Sequence, residues 1–371
     1  MSNTHSDRLE RWCGAEAVQR ISTAMRGWYG PPIILSGVPG NVYAASDGDF
    51  VGVIEGGQFL SGLDWSLMRL GRIFRNASRR QLSRANAGFS SLSDIISEAT
   101  SGGKQRLFQW EKEILTMSAP AGGTASHWQT NSYPTIAPTP SAAPGGDATT
   151  DASVGAPAMD NVSPDTRHVV SSWGTCSLLG KTFLLYDRLF QVSKTMNSAA
   201  AESVTGVPTR YQSTTPGDAD YIGGNFGFVE TGTTALAATA HTWTACTYKD
   251  QDGNASTLPD LVGNASSTAR RLDHPVGQWY APLASGDRGI KAWTNIQCSA
   301  QVATGLIHFV IGHPLCWMPI HTATLLAFHD HLNRPFGRPR VFDDAALAIL
   351  DVLFSGTGNY NMNITVNTVA G

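Results

Sequence analysis

Charge is what this sequence has least of. Asp, Glu, Lys and Arg make up 15% of the 371 residues, well under the roughly 25% of an ordinary soluble domain. With 29 acids against 26 bases the formal net charge is −3, so no global attraction to a polyanion is implied. Between Ala292 and His329 there is no charged side chain at all. A bilayer span asks for about 20 mostly apolar residues in one helix, and Gly305, Gly312, Pro314 and Pro319 interrupt this stretch, which argues against a membrane. It reads as the central strands of a core.

Cysteine is also scarce. Cys13, Cys176, Cys246, Cys298 and Cys316 are odd in number and far apart, with no Cys-x-x-Cys pair, which rules out zinc ribbons and thioredoxin chemistry. The polar Met1–Asp7 segment is followed by charges instead of an apolar leader core. The expectation is synthesis in a reducing cytoplasm with free, mostly buried thiols.

Catalytic signatures are missing too. There is no Gly-x-Ser-x-Gly, and Gly37-Val38-Pro39-Gly40 lacks the Gly-Lys-Ser/Thr of a phosphate loop. Asp250-Gln251-Asp252-Gly253-Asn254 opens like a calcium loop, but its glycine is displaced and Leu261 stands where a bidentate Glu is needed; it reads as an Asp-Gly turn. Cys316 neighbours His313, yet Leu315 and Trp317 would raise its thiol pKa. His308, His313, His321, His329 and His331 fall close together, and His329-Asp330-His331 has the chemistry of two imidazole ligands beside a carboxylate. No third ligand has a recognisable spacing. The reading is therefore a non-enzymatic chain with no catalytic, metal or cofactor residues, a metallohydrolase on the His308–His331 cluster being a third alternative.

What is present divides the chain into three. Residues 1–117 read as a mainly helical region with a small strand-and-turn unit. Leu9, Trp12, Cys13, Val18 and Ile21 form an apolar stripe over Asp7–Met25. Val42-Tyr43-Ala44, an Asp47-Gly48-Asp49 turn and Phe50–Ile54 then predict a hairpin. A second helix is predicted over Ser61–Ala87, carrying Arg69, Arg72, Arg75, Arg79, Arg80 and Arg84 with no acid between Asp64 and Asp94. Uncompensated arginines on one helix repel one another, which points to a nucleic-acid backbone or an acidic partner opposite them, the alternative being a solvated helix face. Ser90–Ser101 predicts a third helix, and Lys104–Met117 continues with charged and apolar residues mixed.

Residues 118–164 are rich in Ala, Pro, Gly, Thr and Ser, including Ala143-Pro144-Gly145-Gly146. Such a segment cannot bury enough surface to order itself and reads as a linker or extended arm. Residues 165–371 are β-dominated. Strands are predicted at His168–Ser172, Lys181–Tyr186, Asn225–Glu230, Thr242–Lys249, Gly289–Cys298, Leu306–Ile311 and Asn361–Val366, with helices at Asp187–Met196 and Asp343–Phe354. The fold class expected is α+β, with a sandwich or jelly-roll-like C-terminal lobe.

Three runs carry a family likeness: Ser171-Ser172-Trp173-Gly174, Leu178 to Asp187 (LLGKTFLLYD), and Val204 to Tyr211 (VTGVPTRY), with Gly88 to Asp94 (GFSSLSD) in the N-terminal part. Together they resemble structural proteins of tailed-bacteriophage particles, although the long acidic spine helix of the usual shell-protein fold is not found. The resemblance implies a virion subunit that builds or decorates a capsid, assembled in the host cytoplasm. Its partners would be copies of itself, other virion proteins and, at the arginine helix, packaged DNA. Low charge favours covered surfaces, and Pro314–Phe328, with Trp317, Met318 and Phe328, is the expected subunit interface. The alternative is a receptor- or glycan-binding β-sandwich using Trp279, Tyr280, Trp293 or Trp317 for stacking.

Overall fold

Two long strands organise the protein. In the computed structural model, strand β7 (Lys181–Thr195) and strand β15 (Leu306–Ile320) pair antiparallel from Lys181↔Ile320 to Thr195↔Leu306. The structure describes residues 41–44, 51–54, 93, 97, 104–117, 125–129, 139–178, 180–269, 271–275, 278–320, 322–331, 339–353 and 358–371. The chain forms two compact units, Met1–Ser78 and Arg79–Gly371. In the first, β1 (Asn41–Ala44) and β2 (Val51–Ile54) make the predicted hairpin.

In the second unit, β7 and β15 are the middle of a sheet ordered β4-β18-β7-β15-β9, with β4 at Ala125–His127, β18 at Leu347–Leu353 and β9 at Phe226–Thr231; β5 (Asp147–Ala148) also pairs with β7. Facing it is a sheet ordered β16-β6-β19-β3, with β16 at Ala327–Asp330, β6 at Arg167–Cys176, β19 at Gly358–Ala370 and β3 at Gln105–Met117; β17 (Arg340–Val341) adds to β6. Phe183, Leu185, Cys316, Met318, Leu347 and Ile349 of the first sheet meet Phe108, Trp110, Val169, Cys176, Ile364 and Val366 of the second. That is a β-sandwich core.

The far halves of β7 and β15 serve a second core. There Phe190, Val192, Ile307, Phe309 and Ile311 pack against Trp243, Tyr248, Trp293 and Ile296. The latter come from a smaller sheet ordered β12-β11-β14-β8 (Ala255–Thr257, Thr247–Lys249, Ala292–Ile296, Glu202–Ser203) and the pair β10-β13 (Thr242–Trp243, Leu261–Val262). The charge-free stretch from Ala292 to His329 thus supplies central strands, as its composition implies. The outer face of the β7/β15 sheet is also covered, with Leu184, Tyr186, Phe228, Val310 and Leu350 buried under Leu272 and the partly buried Trp279.

The expected α+β class is wrong. The described residues are almost entirely strand and turn, and no helical N-terminal part is present among them. Lys104–Met117 is strand β3, Asp187–Met196 lies largely within β7, and Asp343–Phe354 contains β18. Each of the last two has both faces buried, so apolar residues occupy nearly every position and a helical spacing can be picked out of a continuous run. The helices expected over Asp7–Met25 and Ser61–Ala87 lie outside the described residues. Of Ser90–Ser101 only Ser93 and Ser97 are described, both with helical backbone.

The described parts of the Pro/Gly-rich segment, 125–129 and 139–164, are held by their own unit, the first through the pairing of β4 with β18. Ser193 N–H donates to the Ser141 carbonyl, β5 pairs with Phe190 and Gln191, and Thr205 N–H donates to the Pro144 carbonyl. Gly146 sits at φ +79°, and a Cβ there would lie 2.4 Å from the Phe190 ring. Only glycine permits that approach.

Candidate functional site

Placement of the expected surface residues follows from strand alternation. On β15, Cys316, Met318 and Ile320 point into the sandwich core, so Trp317 points out, 37% exposed, while Met318 is 2% exposed. Met318 is core and cannot belong to a contact surface. Trp317 packs edge-on against Trp279 at 5.3 Å, and Trp279 against Tyr280 at 4.8 Å, with Tyr280 exposed. Trp279 is anchored inward on Phe226, whereas Trp293 is fully buried between Tyr248 and Phe309 and cannot stack on a ligand.

On the opposite sheet, edge strand β16 turns Phe328 outward, 63% exposed, and the preceding Leu325 and Leu326 are exposed as well. Two apolar surfaces therefore look away from the sandwich in opposite directions. The six arginines from Arg69 to Arg84 lie outside the described residues.

The histidines do not converge. His308 Nδ1 lies 3.3 Å from Glu230 Oε1; His313 lies flat on Tyr211 at 3.7 Å and bonds Asn225 Oδ1 at 2.8 Å; His331 Nε2 bonds the Ser172 hydroxyl at 2.8 Å. The His329 and His331 rings are 6.4 Å apart, and His321 is outside the described residues. Among the described residues no group of three His, Cys, Asp or Glu side chains could hold a metal. Asp250 caps its own turn, accepting from the N–H groups of Asp252 and Asn254 at 2.8 Å.

Three buried ion-pair networks were invisible in the sequence. Arg210 grips Asp187 with two bonds, 2.9 and 2.7 Å, and also donates to the Thr149 carbonyl. Burial pushes the Asp187 carboxyl upward, and the Arg210 charge pulls it back. Arg188, between the rings of Trp128 and Phe228, donates to Glu230 at 2.6 Å. Although burial disfavours the Glu230 carboxylate, Arg188 and His308 hold its pKa down to about 2. Lys181 donates to Asp351 at 2.8 Å, and Tyr360 hydroxyl donates to the same oxygen at 2.9 Å. A fourth pair, His241 with Asp273 at 2.8 Å, shares its carboxylate oxygen with the Trp243 indole N–H. His241 Nδ1 is bonded to the Thr239 carbonyl oxygen, so this pair pins a loop and has no ring nitrogen left for catalysis. The only sequence signal for these networks is charge within otherwise apolar strands.

No family model and no curated protein matches this chain. Solved structures that match include infectious bursal disease virus, Gt strain, and T=1 particles derived from infectious bursal virus. Each is 9% identical and covers 72% of this chain, with 80% and 78% of the respective matched chains covered and a TM-score of 0.15. A superposition at that score establishes neither a common fold nor a common function.

Proposed function

We propose that this chain is a structural, non-enzymatic subunit of a virion, which builds or coats a capsid through repeated contacts with copies of itself and with other virion proteins. The observation that carries the reading is the pair of exposed apolar patches facing opposite ways, Trp317 of one sheet with the loop residue Tyr280, and Phe328 at the edge of the other with the preceding Leu325 and Leu326. An exposed apolar edge invites pairing with another chain, and the short strand β16 carries one charged residue, Asp330, at its end. A single self-complementary patch closes a dimer, whereas two unlike patches allow contacts to propagate around a ring or shell. The low overall charge agrees, since the centre of an interface is depleted in charged residues. The resemblance to tailed-bacteriophage structural proteins points the same way.

Light scattering after size exclusion, followed by negative-stain microscopy, tests this on the purified full chain. Association that grows with concentration and is weakened separately by Trp317→Asp and Phe328→Asp is the expected result. A monodisperse monomer at every concentration, or association that both substitutions leave intact, refutes it.

A further inference from the structure

The outward face of the β6-β19-β3 sheet has an unusual chemistry. Its side chains alternate cleanly with those of the core, Phe108, Trp110, Ile364 and Val366 pointing in and Gln105, Gln109, Asn363, Asn367, Ser171 and Trp173 pointing out. The register sets Gln109, Thr365 and Trp173 in one row across three strands, with Leu107, Asn367 and Ser171 in the next. At about 4.8 Å between strands, these side chains form one open platform.

The outward charges here are acids, Glu111 at one end and Asp330 of β16 beside Ser171, and the described outward positions of β3, β6 and β19 hold no Lys or Arg. The described outward positions therefore supply no cation for a polyanion. Carboxamides replace ammonium groups: Gln105 donates to Asn367 at 2.9 Å, Gln109 to Asn363 at 3.5 Å, and Asn367 to the Ser171 hydroxyl at 3.3 Å. These bonds tie the amides of neighbouring strands together and leave each glutamine with a second N–H and an oxygen for a ligand. Half-buried Trp173 stands among them, flanked by Ser171 and Thr175 along its strand.

We infer that this face binds a neutral polysaccharide, one sugar ring lying on Trp173 and its hydroxyls bridged by the amides of Gln109, Asn363 and Asn367. A neutral sugar offers an apolar ring face for the indole and hydroxyls that both donate and accept. It brings no charge for the face to pair. Phe328 is the direct cross-strand neighbour of Trp173 on this same face, so the inference shares a surface with the assembly reading, and sugar binding and self-association are measured separately so that either can fail alone.

Affinity electrophoresis of the full chain through gels containing a starch, a β-glucan, a mannan or a xylan, with heparin as the charged control, is the test. At least one neutral polymer should retard the protein and heparin should not. Trp173→Ala should weaken retardation about tenfold or more, equivalent to one order in the dissociation constant. Gln109→Ala, an exposed change that leaves the core alone, should weaken it severalfold if Trp173→Ala fails to fold. Trp317→Ala, on the other sheet, should change nothing. No retardation by any neutral polymer, retardation by heparin alone, indifference to Gln109→Ala, or loss of self-association in place of sugar binding on changing this face would overturn the inference.

Discussion

Acid should destabilise this protein through three neutral histidines, the buried His127 and His274 and the half-buried His313. His313 is held down to about 3 by burial alone. Burial and the nearby Lys112, Arg271 and Lys181 charges hold His127 at about 3, and burial holds His274 at about 4. The structural cause is plain at His274, whose Nε2 accepts the Val229 N–H at 2.7 Å and would lose that bond on protonation. The unfolded chain protonates each ring near the usual 6.5, the folded chain only near 3 to 4. The stability these rings contribute is therefore complete above the unfolded value and lost as pH falls toward the folded one. At pH 5 the loss is about 2 kcal/mol per histidine, from 1.36 kcal/mol per pH unit, and is set almost wholly by the unfolded pKa. Three together approach 6 kcal/mol, comparable with the roughly 5–15 kcal/mol of a whole domain. Other groups offset part of this. His241, lowered by burial but raised further by Asp273, gains stability on acidification, as do Asp187 and Asp351, which burial pushes up. Comparing His313→Gln with the parent cancels those terms. In urea titrations followed by tryptophan fluorescence, the variant should lose about 2 kcal/mol less between pH 8 and pH 5 than the parent. Equal losses in the two proteins would refute the argument.

Other expectations are more local. Arg210→Met strands the Asp187 carboxylate inside the protein and should cost about 3–5 kcal/mol in denaturant unfolding, partly recovered by adding Asp187→Asn. Gly206→Ala would place a Cβ 2.2 Å from the Gly145 carbonyl oxygen and 2.7 Å from the Phe190 ring. It should cost about 1–3 kcal/mol and expose the segment from 139 to 164 to limited proteolysis; unchanged cleavage would mean that the segment is not held there. Cys176, Cys246, Cys298 and Cys316 are buried, and burial pushes the Cys246 thiol up to about 12. These four should resist a thiol reagent until the protein is unfolded, and rapid labelling of any of them in the native state would contradict their placement.

The strands that were legible in the sequence are those whose two faces differ or whose residues are β-branched. The predicted Leu306–Ile311 strand is the first part of β15, and His168–Ser172 lies inside β6. The continuation of β7 past Tyr186 was not legible. Asp187-Arg188 resembles a helix start, and what lets it lie in a buried strand is neutralisation by Arg210 and Glu230, 23 and 42 residues away along the chain. Pairing at such separation leaves no local pattern. Likewise the Ala143–Gly146 segment has the composition of a linker, and its order comes from glycines that let it lie against Phe190.

The surface residues were half legible, and strand alternation explains which half. Trp317 and Met318 are adjacent on one strand, so they face opposite sides, and only Trp317 is exposed; the predicted strand ends at Ile311, short of both, so the alternation that separates them was not legible. The outward face around Trp173 was missed for a different reason. Charge normally marks which face of a strand meets water, and β6 and β19 carry none on theirs. In β6 the outward Ser171, Trp173 and Thr175 alternate with buried Ser172, Gly174 and Cys176, a pattern in which hydropathy barely separates inside from outside. Only the pairing with Gln109 and Asn363 on neighbouring strands shows these residues to be one surface. In a chain this poor in charge, register does the work of identifying the outside that composition does elsewhere.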